Sequence, residues 1–352
     1  MGQSKKARQL ARLAAELAFQ ASDYDRRTEE RAAQLALREW PRRSALLVVN
    51  SSSGPNRDSL LHVQELVDIL RDFNIHADVR VKLRKKQARR EARSAASAGC
   101  QLVIAAGGDG TVEAIAAGLI GTRTQLGIIP LGTYNNLATC LGIPRDIREA
   151  CALIATATPR AIDVGQIDVR GSQPRLFFET CAIGIGAAMT HAGQVAEKGR
   201  WQTAARALPL AISMPPVITQ IRLDGRRPQW VRTLLITVSN APRAGAGLQV
   251  APLARMDDGL LDVTVFDDLE QADLAARLPA LATGALDSDA DPHVRRARCV
   301  ALRVRSARPL PVAADSKLIG VTPARIVVRP GAVLMLVGPG EGLARPPSST
   351  LF

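Results

Sequence analysis

Three glycines and one carboxylate stand together in "GGDGT", Gly107 to Thr111, directly after the apolar run Leu102–Ala106. Glycine lacks a Cβ and permits positive φ, so consecutive N–H groups can turn toward one anion at van der Waals distance. A helix beginning near Thr111 adds the positive end of its dipole at the same place. Phosphate is the group such a corner suits. Asp109 qualifies that chemistry, because a carboxylate repels phosphate oxygens unless a cation or a proton in transit lies between them. It points to Mg²⁺ or to the handling of an acceptor hydroxyl. A tight turn that needs glycine for shape alone is the simpler alternative. Two further small-residue corners weigh against it: "NSSSG", Asn50 to Gly54, and "PLGTYNN", which holds Thr133.

All three corners follow runs that read as strands. "ALLVVN" (45–50), "ADVRVKL" (77–83), "QLVIAA" (101–106) and "TQLGIIP" (124–130) are apolar or alternating. Between them lie helical patterns: Leu60, Val63, Val67 and Leu70 at helical spacing, then the basic "KKQARREARSAASAG" ended by Gly99. A further helix is expected over "DIREACALIATA". Strand and helix alternate four times, which predicts a parallel sheet with helical crossovers, and ligands in such sheets sit beyond the carboxyl ends of the strands. After Pro159 the pattern changes to short alternating runs such as "RLFFETCAIGIG", "RTLLITVSN" and "GLLDVTVF", which predict a mainly antiparallel sandwich or barrel. One helical insertion is expected around Lys198–Ile212.

The fold class is therefore α/β: a Rossmann-like, parallel-sheet nucleotide-binding domain at 44–159, then a β-rich second domain at 160–339. A charged helical extension is expected at 1–43 and a loose tail at 340–352. The extension carries an apolar stripe at Leu10, Leu13 and Leu17 beside Lys5, Lys6, Arg8 and Arg12. So modest a stripe fits packing on the protein's own body, or on a partner copy in a homodimer, better than lying on anionic lipid.

A length of 352 residues suits two domains, and a net charge of +13 calls for a negative partner. Aromatic residues make up only 3% of the chain, too few for base stacking, so nucleic acid ranks last among such partners. Five cysteines are scattered singly and four histidines are far apart, which argues for buried free thiols in a reducing compartment and against a zinc site. No apolar run approaches the ~18–20 residues that span a bilayer. A cytoplasmic protein is the expectation; the resemblance given below adds peripheral association with a membrane.

With these residues assembled, the chain resembles the diacylglycerol kinase catalytic-domain family, the bacterial lipid kinases related to sphingosine and ceramide kinases. The motifs are "NSSSG", "GGDGT" and "IIPLGTYNNLATCLGIP" (128–144), followed by "APLARMDDGLLDVTVF" (251–266) and "PLPVAADSKLIGVTPARIVVRPGAVLMLV". The likeness covers about residues 44–339, with the motifs in family order. "GGDGT" by itself is shared with NAD kinases; the order and the second-half motifs are the specific part. The resemblance implies an ATP- and Mg²⁺-dependent lipid kinase acting on diacylglycerol or a related lipid at a membrane surface. It implies that ATP is held by Asn50, Ser51, Ser52, Ser53 and Gly54, by Gly107, Gly108, Asp109, Gly110, Thr111, Val112 and Glu113, and near Thr133. Lys82 stands at or next to a Thr position of the family's nucleotide site. Asp258 would bind Mg²⁺ with the backbone carbonyls of Arg255 and Leu260, a hard-oxygen set. Asp315 matches the first residue of the family's Asp-Gly-Glu, which supplies acid and base groups for the lipid hydroxyl, and is expected to act with Asp109.

Two departures accompany the match. Ser316 and Lys317 replace the Gly and Glu of that motif, and Glu113 stands where relatives have Asn. A protonated lysine cannot accept a proton, so a rearranged charge pattern is expected around the triphosphate. The competing functions are a catalytically weak nucleotide- or lipid-binding protein of this fold, motivated by Lys317, and an NAD kinase-like activity, motivated by the shared glycine corner.

Overall fold

Four of the apolar runs form parallel strands in the computed structural model, which describes residues 43–50, 59–81, 83–190, 214–286, 291–315 and 317–343. They are β1 (Arg43–Val49), β2 (Ile75–Val81), β3 (Leu102–Gly107) and β4 (Gln125–Pro130), ordered β4, β3, β1, β2 across the sheet. Every residue of β3 is buried, as expected of a strand covered on both faces. The crossovers are α1 (Ser59–Asp72), α2 (Lys85–Ser97) and α3 (Asp109–Leu119); a short α4 (Asn136–Cys140) and α5 (Ile147–Thr156) follow β4. Asp146 caps α5 by accepting from the Glu149 N–H at 2.9 Å. The expected extension at 1–43 lies outside the described residues except for its last position, as do the 198–212 helix and the tail from 344 onward.

The second half is antiparallel, as its alternating runs predict. It comprises β5 (Pro159–Val169), β6 (Arg175–Phe177), β7 (Thr180–Gly184), β8 (Val217–Leu223), β9 (Gln229–Ser239), β10 (Leu261–Asp267), β11 (Val294–Cys299), β12 (Ala301–Ser306), β13 (Pro311–Ala314), β14 (Lys317–Val321) and β15 (Ala324–Leu336). The main strand order runs β14, β13, β7, β9, β8, β12, β15 and continues into β4, because Leu334 and Met335 pair in parallel with Gln125 and Leu126. The parallel and antiparallel regions are thus one hydrogen-bonded sheet.

Two features depart from the sequence-based expectation. Residues 175–184 form two strands, not one, and the break falls at Phe178 and Glu179, whose backbone N–H groups bond a distant side chain described below. A helix, α6 (Gln271–Thr283), was not expected; its internal Pro279 and the following Gly284 interrupt the helical pattern that would have revealed it.

β5 and β15 are the long strands that join the two regions. Ile162, Val164, Val333 and Met335 belong to the core under the parallel sheet, whereas Ile167, Val169, Ile326 and Val328 belong to the core of the antiparallel part. The register between them shifts between Arg329 and Val333, where Gly331 takes φ +54, a left-handed conformation that costs glycine little. Asp163, almost wholly buried, secures this crossing. Its carboxylate accepts from the Gly331 N–H at 2.7 Å and from the Gly259 N–H at 2.7 Å, while its carbonyl accepts from the Asn240 side chain at 3.0 Å. One aspartate therefore fixes the strand bulge to the "MDDG" loop. Replacing Asp163 with Ala leaves the Gly331 and Gly259 amides without their acceptor, and a loss of about 1–3 kcal/mol of stability is expected, read as a lowered urea midpoint.

Candidate active site

The ends of β1, β3 and β4 meet at one sheet edge. At the end of β1 the Asn50 N–H donates to the Ala106 carbonyl at 2.9 Å. The Asn50 side-chain amide donates to Thr111 Oγ1 at 3.2 Å and to the Leu83 carbonyl at 3.4 Å, so one residue ties together the ends of β1 and β3 and the chain just past β2. The loop after β4 reaches the glycine corner backbone to backbone: a Cβ on Gly132 would lie 2.5 Å from the Gly108 Cα. Neither position tolerates a side chain without moving a loop. Asn135, at φ 53, clasps Gly132 from both sides, accepting from its N–H at 2.9 Å and donating to its carbonyl at 2.8 Å. Asp109 turns the other way and accepts from the Leu137 N–H at 3.2 Å, in the first turn of α4.

The second half contributes its carboxylates from a strand hairpin and a strand break. Ala314 pairs with Lys317, so Asp315 stands in the β13–β14 connection, where it takes φ 41; Ser316 lies outside the described residues. The Asp315 carboxylate is buried and accepts from the N–H groups of Phe178 at 2.7 Å, Glu179 at 2.9 Å and Thr180 at 3.3 Å. Those amides are free because the chain leaves its strand between β6 and β7. Glu179 is also buried. Its Oε2 accepts from the Asn136 side chain at 3.2 Å and from the Gly245 N–H at 3.2 Å.

Two hollows of opposite character open on this cluster. A groove of about 600 Å³ runs along α2 and α3, with Lys85, Lys86, Arg89, Arg175, Lys317 and Arg329 supplying positive charge. A narrower pocket of about 370 Å³ is lined by apolar side chains, among them Ile185, Met189, Leu235, Leu248 and Leu274. Asp315 lines both.

The comparisons with known proteins follow this geometry. Residues 44–167 match the diacylglycerol kinase catalytic domain, and residues 182–337 match the YegS C-terminal NAD kinase beta sandwich-like domain. A protein of Stenotrophomonas maltophilia named "Probable lipid kinase YegS-like" is 31% identical over 299 residues, covering 82% of this chain and 94% of its own. The chain belongs to the YegS-like branch of the diacylglycerol kinase catalytic-domain family. A Salmonella gallinarum protein named "Probable lipid kinase YegS" is also 31% identical, over 71% of this chain and 81% of its own. The fold matches that of a crystal structure described as a diacylglycerol kinase from Bacillus anthracis str. Sterne, at 23% identity and TM-score 0.64, covering 85% of this chain and 97% of that one.

Of the residues singled out from the sequence, Asn50, Gly107, Gly108, Asp109, Gly110, Thr111, Val112 and Glu113 share the sheet edge in this family member, with Thr133 exposed on the adjoining loop. Ser51, Ser52, Ser53, Gly54 and Lys82 lie outside the described residues. Arg255, Asp258 and Leu260 lie on the loop that leads into β10. There Asp258 accepts from the Leu260 N–H at 3.0 Å and pairs with the Arg298 guanidinium. Three site residues were missed. The Lys85 ammonium rests over the glycine corner, where a Cβ on Gly110 would stand. Asn136 opens α4. Glu179 gave one available signal, a lone charge inside the apolar run "LFFETCAI".

The two departures from the family pattern occupy the same spot. Lys317 Nζ lies 2.8 Å from Glu113 Oε2, so a lysine and a glutamate at unexpected positions satisfy each other across the groove. Burial opposes the charge on Lys317, yet Glu113 and Asp315 override it and hold the ammonium above its ordinary range. Lys85 is pushed down, by burial first and by Lys317 as well. Burial, then the nearby Glu113, pushes Asp315 up to about 7 against the pull of the Phe178 and Glu179 amides. Glu179 is raised well above the usual carboxylate range by burial and by Asp315, Asp109 and Glu113. Lys317 keeps 48% of its side chain exposed and Glu113 13%, so solvent screens the pair. A double-mutant cycle with Glu113→Gln and Lys317→Met is expected to give a coupling of about 0.5–1 kcal/mol in thermal or urea unfolding; zero coupling would mean that the contact is incidental.

Proposed function

We propose that the protein transfers the γ-phosphoryl group of ATP, delivered with Mg²⁺, to the hydroxyl of a membrane lipid, diacylglycerol or a close relative. One observation carries the reading. A cationic groove and an apolar pocket meet at a single buried carboxylate, Asp315. A nucleotide and an acyl chain need those two environments, and phosphoryl transfer needs them joined.

Phosphoryl transfer asks a protein for positioning and charge neutralisation more than for covalent chemistry. The N–H groups at Gly107–Thr111 and the positive end of α3 would cradle phosphate oxygens, with Asn50–Gly54 and Thr133 completing the nucleotide site. Lys85 already stands where it would neutralise one of those oxygens, and Lys317 and Arg329 line the same groove. Asp109 is held by the Leu137 amide, next to Asn136, whose side chain bonds Glu179. The apolar pocket would take the acyl end of the acceptor and bring its hydroxyl to Asp315. The net charge of +13 would favour an anionic membrane surface at about 1 kcal/mol per Lys or Arg near it.

The loop leading into β10 suits a hard cation in its oxygens. Asp262 Oδ2 is buried with no hydrogen-bond partner, and Arg298 reaches both Asp258 and Asp262. Burial pushes Asp262 up to about 6 against the pull of Arg296 and Arg255. We assign Mg²⁺ to Asp258 with the Arg255 and Leu260 carbonyls, where it would neutralise the two carboxylates once Arg298 swings aside.

Incubation with γ-labelled ATP, Mg²⁺ and vesicles containing diacylglycerol is expected to label the lipid; label found in a soluble dinucleotide instead, or no product with any hydroxyl lipid, would overturn the reading. Asp315→Asn should lower kcat by at least ~10²-fold. For the Mg²⁺ assignment, added Mg²⁺ should raise the melting temperature of the wild type, and Asp258→Asn should abolish that increment.

A further inference from the structure

The apolar pocket is lined by two carboxylates among the described residues, Asp315 and Glu179. They are not equivalent. Asp315 is saturated by three backbone amides, which stabilise its charge and hold it in place. Glu179 receives two bonds, both on Oε2, one of them from a side-chain amide. Position 317 is no rival to either, because its ammonium faces the cationic groove and is paired with Glu113. Thr237 also lines the pocket, but its hydroxyl is itself closed to solvent.

Resting on the lipid-kinase reading above, we propose that Glu179 is the residue that takes the proton from the acceptor hydroxyl. The acceptor O–H bond breaks and its proton passes to the Glu179 carboxylate. The freed electron pair forms the new O–P bond to the γ-phosphorus of the nucleoside triphosphate. The old P–O bond breaks, its electron pair stays on the nucleoside diphosphate, and Glu179 returns the proton to solvent as the product leaves. The charged and polar groups facing Glu179 are Asp315 at the end of β13, Asp109 and Glu113 on α3, and Asn136 on α4. Three of these are acidic and raise its basicity, which favours proton capture from an alcohol. Lys317 acts on Asp315.

The direct test is Glu179→Gln, which keeps an oxygen for the Asn136 and Gly245 bonds while removing the base. Lipid phosphorylation should fall at least ~10²-fold in kcat, with KM for ATP within about threefold of wild type. The wild-type kcat should decline on the acid side as Glu179 protonates, and the variant should lose that limb. The folded state raises the pKa of Glu179, so its charge costs stability above that pKa, and E179Q should melt no lower than wild type at pH 8. Glu179→Asp should recover at least tenfold of the lost rate. An E179Q kcat within threefold of wild type, a defect confined to KM, an unchanged acid limb, or no recovery in E179D each overturns the proposal. A wild type inactive on every hydroxyl lipid overturns the lipid-kinase reading and this proposal with it, whereas an active wild type with an equally active E179Q overturns this proposal alone.

Discussion

The capture of three backbone amides by the Asp315 carboxylate is the interaction on which the rest of the site depends. The N–H groups of Phe178, Glu179 and Thr180 would belong to a strand ladder if the chain ran straight from β6 to β7. Asp315 takes them instead, from the β13–β14 connection, where its own φ is positive. Glu179, at the break, lines the apolar pocket, and Asp315 lines both hollows. Burying that carboxylate is expensive, and the amides offset part of the cost, so Asp315 is raised only to about 7 despite the surrounding acids.

Charge around the groove is redistributed rather than lost. Lys317 stands at a position where the family motif carries an acid, and Glu113 stands where it carries a neutral amide. Their contact at 2.8 Å makes each intelligible in the light of the other. A single exchange would leave either an unpaired cation near Lys85 or an unpaired anion near Asp315. The cost of such a group in a partly buried groove exceeds the modest worth of the pair itself. The pair leaves Asp315 and Glu179 as the carboxylates that line the apolar pocket among the described residues.

Geometry of this kind requires that the two halves of the molecule hold a fixed relation, and β5 and β15 provide it. Each contributes side chains to both hydrophobic cores, and β15 hydrogen-bonds the last parallel strand as well. Asp163 locks the bulge that lets them pass from one core to the other. Asp109 and Asp315, from opposite halves, are thereby positioned by backbone that cannot slip without breaking a ladder.

Much of the fold was legible in the residues. The four parallel strands and their helices follow from apolar runs and helical spacing, and the glycine corners from the need for bare backbone at strand ends. Local patterns carry that information because each element is short and its apolar residues repeat with the period of a strand or helix, up to complete burial in β3. The role of Glu179 was not legible, because a lone glutamate in "LFFETCAI" reads as an edge residue until a carboxylate 136 positions away claims its amide. Nor was the Glu113–Lys317 contact, which joins residues 204 positions apart. Nor was α6, whose pattern is broken by Pro279. The sequence by itself determined the four parallel strands, the glycine corners and the family. Only the tertiary structure decided which charges meet, because Coulomb interactions and hydrogen bonds depend on distances of a few ångströms that long-range strand pairing alone sets.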